Sequence, residues 1–235
     1  MLGSSTPHAG ALLVDGQPLT EESLAQFRRE TAWIDPTIQL WNRSLIENLR
    51  FGLPGMASMP VGESIEEAEL LSLMDKLPDG LQTKLGEGGA LVSGGEGQRV
   101  RVGRALLRSG VRLAILDEPF RGLHADTREA LLKRLRRVWR AATLIFISHQ
   151  VAEAQSFDRV LVMQSGTVVE DGAPAALLRT PGSRYAALFH RERELQSRLL
   201  AGNEWRGVRM QGGVLSEQSN TDIRARKFAA RERTA

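Results

Sequence analysis

The feature that most restricts what this chain can become is one stretch in two halves. The first, LVSGGEGQRVRVGRALLR from Leu91 to Arg108, sets Ser93, Gly94 and Gly95 directly before a run that reads as a helix, with Val100, Val102, Ala105 and Leu106 as its apolar side. A Ser-Gly-Gly turn at a helix N-terminus presents unpaired backbone N–H groups and the positive end of the helix dipole, a combination suited to a phosphate. The second half, LAILDEPF from Leu113 to Phe120, is a short apolar run that ends in Asp117 and Glu118. Adjacent carboxylates where a buried strand emerges are placed to hold a hard divalent cation and to accept a proton from water.

The other elements are readable around this stretch. Ala11 to Val14 is a strand closed by the turn pair Asp15-Gly16, Leu24 to Arg29 a short helix and Thr31 to Ile34 a strand. Ser44 followed by Glu47 forms a capping box and starts another helix. Glu63 to Met74 reads as one amphipathic helix, with Ile65, Ala68, Leu71 and Met74 in a single stripe. Ala125 to Trp139 reads as a helix, Ala142 to Ile147 as a strand, and Phe157–Met163 with Thr167–Asp171 as a hairpin around Ser165-Gly166.

At their spacing, the two halves of the opening stretch resemble the signature and Walker B motifs of the ATP-binding cassette (ABC) ATPases. The likeness extends from about Gly10 to Phe189. DPTIQLWNRSLIENLRFG, Asp35 to Gly52, resembles the exporter segment that carries the Q-loop, and Leu40, Trp41, Ser44, Leu45, Asn48 and Leu49 match its pattern. Gly86-Glu87-Gly88-Gly89 is similar to the Gly-Glu-x-Gly loop ahead of the signature in exporters, and Ser148-His149 after its strand is similar to the H-loop.

The resemblance implies an α/β, P-loop NTPase-like ABC ATPase fold that lacks its N-terminal Walker A portion and carries an α-helical subdomain at about 40–105. It implies a partial ATPase domain over 1–189 and a C-terminal extension over 190–235, whose polar, weakly periodic composition predicts disorder over most of its length. ATP and Mg2+ are the implied cofactors. Asp117 would hold the magnesium through water, Glu118 would polarise the attacking water, and His149 would contact the terminal phosphate. Ser93, Gly94, Gly95 and Glu96 would face a nucleotide bound by a second ABC ATPase domain, in a homo- or heterodimer. The transmembrane domains of an exporter are the other implied partner.

Several positions depart from the family pattern. The Q-loop glutamine aligns with Pro36, and Gln39, three residues on, is the residue available to replace it. Glu96 stands where the signature usually has Gln, and Arg121-Gly122-Leu123-His124 stands where Ser-Ala-Leu-Asp is usual. No Gly-rich loop ending in Gly-Lys-Ser/Thr occurs in the sequence. The expectation is therefore a chain that does not hydrolyse ATP alone: either the C-terminal piece of an exporter subunit, or a degenerate half-cassette that lends its signature to an intact partner. Soluble cassette proteins of DNA repair or translation are the reading from another class; the LGEGG and LWNRSLIENL segments speak against it.

Composition narrows the rest. The 235 residues include no cysteine and are 42% hydrophobic, enough for a core and incompatible with a disulfide scaffold. No apolar run approaches the roughly 18 residues of a membrane span, so any link to a membrane goes through a partner. The net charge is +3, with arginines interleaved among acids, and no nucleic acid is expected. The opening MLGSSTPHAG lacks the basic start and long apolar segment of a signal peptide. The family resemblance implies a place in the cytoplasm, or on the cytoplasmic face of the plasma membrane through a transmembrane partner.

Overall fold

The computed structural model describes residues 7–53, 59–201, 207–211 and 214–218. The chain falls into two compact units, Met1–His149 and Gln150–Ala235.

The first unit opens with β1 (Leu13–Val14) and β2 (Gln17–Pro18), an antiparallel pair turned by Asp15 and Gly16. Both turn residues have positive φ, 51° and 77°, the conformation that a tight hairpin demands and that Asp-Gly supplies. Helix α1 (Glu21–Arg29) follows, capped by Thr20, and leads into β3 (Thr31–Ile34). Next come α2 (Leu45–Arg50), α3 (Val61–Glu67), α4 (Leu71–Lys76), α5 (Gly94–Leu106), β4 (Leu113–Asp117), α6 (Ala125–Val138) and β5 (Thr143–Ile147). β3, β4 and β5 form a parallel sheet in that order, with Ile34 opposite Leu116 and Asp117 opposite Ile147. Parallel pairing of strands separated by helices is the α/β arrangement expected from the sequence.

The core of this unit lies on α5 and the sheet. Val100, Leu106, Ala32, Ile34, Ala114, Leu116, Leu45 and Leu49 are fully buried. α2 and α3 come so close to α5 that a Cβ on Gly103 would lie 2.8 Å from Leu49 Cδ2. Ser64 Oγ donates to the Gly103 carbonyl at 2.8 Å on the same face. The capping box at Ser44 and Glu47 forms as read, with Glu47 Oε2 accepting from Ser44 N at 2.9 Å. Asn48, fully buried, accepts from Trp41 N at 2.9 Å and donates to the carbonyls of Trp41 and Arg43 at 3.0 and 3.1 Å. A buried amide must be satisfied in this way, which accounts for an Asn within an otherwise apolar face.

The single helix expected over Glu63–Met74 is two helices instead. Glu69 sits at φ 55°, and the Leu70 N–H bonds back to the Ile65 carbonyl at 2.8 Å, a left-handed helix stop. The reversal re-phases the stripe: Leu70 and Leu73 are buried while Leu71 is 48% exposed. A left-handed Glu carries none of the Gly or Asn signal from which such a stop is normally read.

The second unit holds the hairpin of β6 (Val160–Gln164) and β7 (Thr167–Gly172), then α7 (Pro174–Leu177) and α8 (Arg184–Ala201). Glu170 starts α8 by accepting from the backbone N–H groups of Arg184 and Tyr185 at 2.5 and 2.9 Å, which pulls its carboxyl below the usual range. α8 runs straight through the boundary expected at 189/190. Beyond it, β8 (Gly207–Gln211) and β9 (Val214–Gln218) pair antiparallel. Residues 190–201, 207–211 and 214–218 of the expected extension are thus helix and strand. An Arg/Glu-rich segment is a good helix former once its first turn is packed. Residues 202–206, 212–213 and 219–235 of the expected extension lie outside the described residues. No described helix is long and apolar enough to cross a membrane.

Candidate nucleotide site

Two clusters carry the candidate residues, both in the first unit. The first stands at the C-terminal edge of the sheet. β4 delivers Asp117 and then Glu118, whose N–H continues the ladder by donating to the Ile147 carbonyl at 2.9 Å. Glu118 has φ 43°, in the left-handed region that a non-glycine residue rarely occupies and that functional positions often hold. Its Oε1 accepts from the backbone N–H of His149 at 2.8 Å and lies 3.6 Å from His149 Nε2. The imidazole itself is 96% exposed. The sequence therefore set together three residues that the fold does bring together: Asp117, Glu118 and His149.

A fourth member was not foreseen. Asp35 ends β3 as Asp117 ends β4, because Ile34 and Leu116 are register partners. Asp117 is shifted upward, first by desolvation and then by repulsion from Asp35 and Glu118, with His149 pulling it down. Asp35 Oδ1 accepts from the Thr37 N–H and hydroxyl, both at 2.7 Å. An Asp before Pro reads as turn chemistry, so its functional neighbourhood is visible only from strand register.

Gln39 belongs to neither cluster through a described contact. It is exposed, and Arg104 Nη1 holds its backbone carbonyl at 3.3 Å. Arg101 likewise holds the Ile38 carbonyl at 2.6 Å, so this loop is pinned to α5 rather than to the carboxylates.

The second cluster is the N-terminus of α5. Ser93 is the N-cap, and its hydroxyl accepts from Glu96 N at 3.3 Å while Glu96 Oε2 accepts from Ser93 N at 2.9 Å. Glu96 Oε1 is paired with Lys76 Nζ at 2.9 Å. The Ser93 N–H first, and then Lys76, lower the Glu96 carboxyl to about 2. A Cβ on Gly94 would meet nothing within 4 Å, so this side of the turn is open. A Cβ on Gly95 would lie 2.9 Å from the Gly122 carbonyl oxygen and 3.0 Å from Leu123. The Ser-Gly-Gly turn thus abuts the loop that follows the Asp-Glu pair.

Residues 1–121, which include both motifs, match the ABC transporter family. The chain belongs to that family. Among curated ABC relatives it is 34% identical to the mitochondrial iron-sulfur clusters transporter ATM1 of Candida albicans over 200 residues, which is 83% of this chain and 26% of that one. It is 35% identical to the ATP-dependent lipid A-core flippase of Chromobacterium violaceum over 182 residues, 77% of this chain and 31% of the flippase. Its structure resembles that of a bacterial Atm1-family ABC exporter with ATP bound at a TM-score of 0.74 and 29% identity, covering 82% of this chain and 34% of the exporter. The chain therefore spans about a quarter to a third of the length of these ABC proteins. The family and the exporter-type cassette fold expected from the motifs are both shown.

Among the described residues no three His, Cys, Asp or Glu side chains converge closely enough to hold a metal ion. Mg2+ typically takes one or two carboxylates and completes its shell with water and phosphate oxygens, so an incomplete protein shell with crowded carboxylates fits it. The open Gly94 side of the capped turn fits a phosphate.

Proposed function

We propose that this chain is the ATP-binding cassette portion of an ABC exporter, coupling ATP binding and hydrolysis to transport through transmembrane domains at the cytoplasmic face of a membrane. The observation that carries this reading is the Glu118–His149 pair at the end of the parallel sheet, 2.8 Å from carboxylate oxygen to backbone nitrogen. Bound MgATP supplies the cation and the phosphoryl group. Asp117, raised first by desolvation and then by its acidic neighbours, is a carboxylate that a bound cation would relieve. Glu118, oriented by the His149 N–H, is placed to accept a proton from water. The exposed His149 ring is free to donate to a phosphate oxygen.

The Ser93–Gly95 turn serves a nucleotide held by a second cassette, as part of a pair. The sequence contains no Gly-Lys-Ser/Thr loop, so these 235 residues by themselves do not turn over ATP. Steady-state phosphate release from the purified chain tests the reading. The expected result is no turnover. Magnesium-dependent turnover by the chain alone, abolished by Glu118→Gln, would overturn it. Affinity capture is expected to recover a transmembrane subunit; recovery with DNA or ribosomes instead would favour a soluble cassette protein.

A further inference from the structure

The signature turn carries a charge that a phosphate-binding turn should avoid. Glu96 is three residues from its own N-cap and one from Gly95, and its side chain is only 13% exposed. Its ionised carboxylate folds back over the Ser93 N–H, occupying one of the donors that makes a helix N-terminus attractive to anions. An incoming terminal phosphate would meet this negative charge at close range.

Lys76 answers it from another element. It is the last residue of α4, 67% exposed, and its Nζ lies 2.9 Å from the Glu96 oxygen that Ser93 does not use. An ammonium has three donors and Glu96 takes one. We infer that Lys76 is a positioning residue of the signature turn: by pairing with Glu96 it cancels the carboxylate's charge and makes the turn receptive to a nucleotide phosphate. The inference rests on the reading of the turn as a nucleotide site proposed above. It explains how an acidic residue is accommodated at this position. The glutamine usual in the family would need no partner.

The test is a nucleotide titration of the full chain mixed with an excess of an intact exporter-type ABC cassette that carries its own Gly-Lys-Ser/Thr loop, following the backbone amide resonances of this chain's Gly94 and Gly95 with ATP as the probe at low salt. Wild-type resonances are expected to shift and saturate. Lys76→Ala should weaken the apparent affinity by about fivefold to tenfold, as expected for leaving the Glu96 carboxylate unpaired beside the phosphate, and the difference should shrink in ~0.5 M salt. Glu96→Gln should bind at least as tightly, because Gln can still accept from the Ser93 N–H without bringing a charge. The decisive variant is the double one. With Glu96→Gln in place the exposed Lys76 is no longer held at the turn, and Lys76→Ala should cost about twofold or less.

An equal loss in both backgrounds overturns the inference, since Lys76 would then act independently of Glu96. Unchanged affinity in Lys76→Ala overturns it as well, and leaves the nucleotide reading of the turn intact. A wild-type chain whose Gly94 and Gly95 amides ignore ATP even with the intact cassette present removes that reading and this inference with it. Lys76 is exposed, so its substitution leaves the core untouched.

Discussion

Gly94 and Gly95 are chain neighbours with opposite tolerances. A methyl group at Gly94 points into open space, whereas one at Gly95 would be 2.9 Å from a backbone oxygen that cannot step aside as a side-chain tip can. Gly95→Ala should therefore destabilise the chain by about 1–3 kcal/mol, the scale of an overpacked contact, while Gly94→Ala stays near neutral. Chemical denaturation of the two variants side by side checks this. Asp117 gives a pH-dependent counterpart. Its folded pKa is raised above the ordinary aspartate value, so its contribution to stability is lost as pH rises through the folded pKa. Asp117→Asn should raise the melting temperature by about 2 °C at pH 7, and the gain should vanish as pH falls below the unfolded aspartate value near ~3.9.

Among the elements, α5 does more than present its N-terminus. Arg101 and Arg104, with Arg108 just past its C-terminal end, reach backbone carbonyls of Ile38, Gln39, Asn48, Gly52 and Arg28. Arg104 donates to the Asn48 carbonyl at 2.7 Å and sits over the Phe51 ring at 5.5 Å. Burial lowers its pKa to about 10. Arg104→Ala would strip partners from carbonyls that water does not easily reach, at a cost of about 2–4 kcal/mol. Arg104→Lys should recover little, since one ammonium cannot serve Nε and two terminal positions. Thermal unfolding of both variants is the measurement. Sequence periodicity marks α5 as a helix that follows the Ser-Gly-Gly turn. The arginine ladder was not legible, because charged residues on a helix ordinarily read as a solvated face, and their targets lie 56 to 80 residues away along the chain.

For the whole molecule, the sequence was most informative where local chemistry decides. The strand Thr31–Ile34, the cap at Ser44 and the helix start after the Ser-Gly-Gly turn lie where they were read, since turn and capping rules act over three or four residues. Where partners come from afar it was mute. Asp35 beside Asp117 follows from strand register, the helix stop at Glu69 has no sequence marker, and Lys76 reaches Glu96 across a fold contact. Contacts of the expected extension are likewise not readable from composition. Glu192, beyond Phe189, accepts from the Ala152 N–H at 2.8 Å, so the second unit uses residues assigned to the extension. Truncation after Phe189 should therefore speed hydrogen exchange at Ala152 by about tenfold or more, whereas truncation after residue 218 should leave it unchanged.

The contact of Gly95 with Gly122 also fixes how little slack the chain has. Leu123 N–H bonds to the Phe120 carbonyl at 3.0 Å and Arg121 N–H to the Glu118 carbonyl at 3.3 Å, so the path from Gly122 back to Glu118 is a wound spring with no free turn. A displacement of the Ser-Gly-Gly turn toward that loop cannot be absorbed between two glycines already at contact distance.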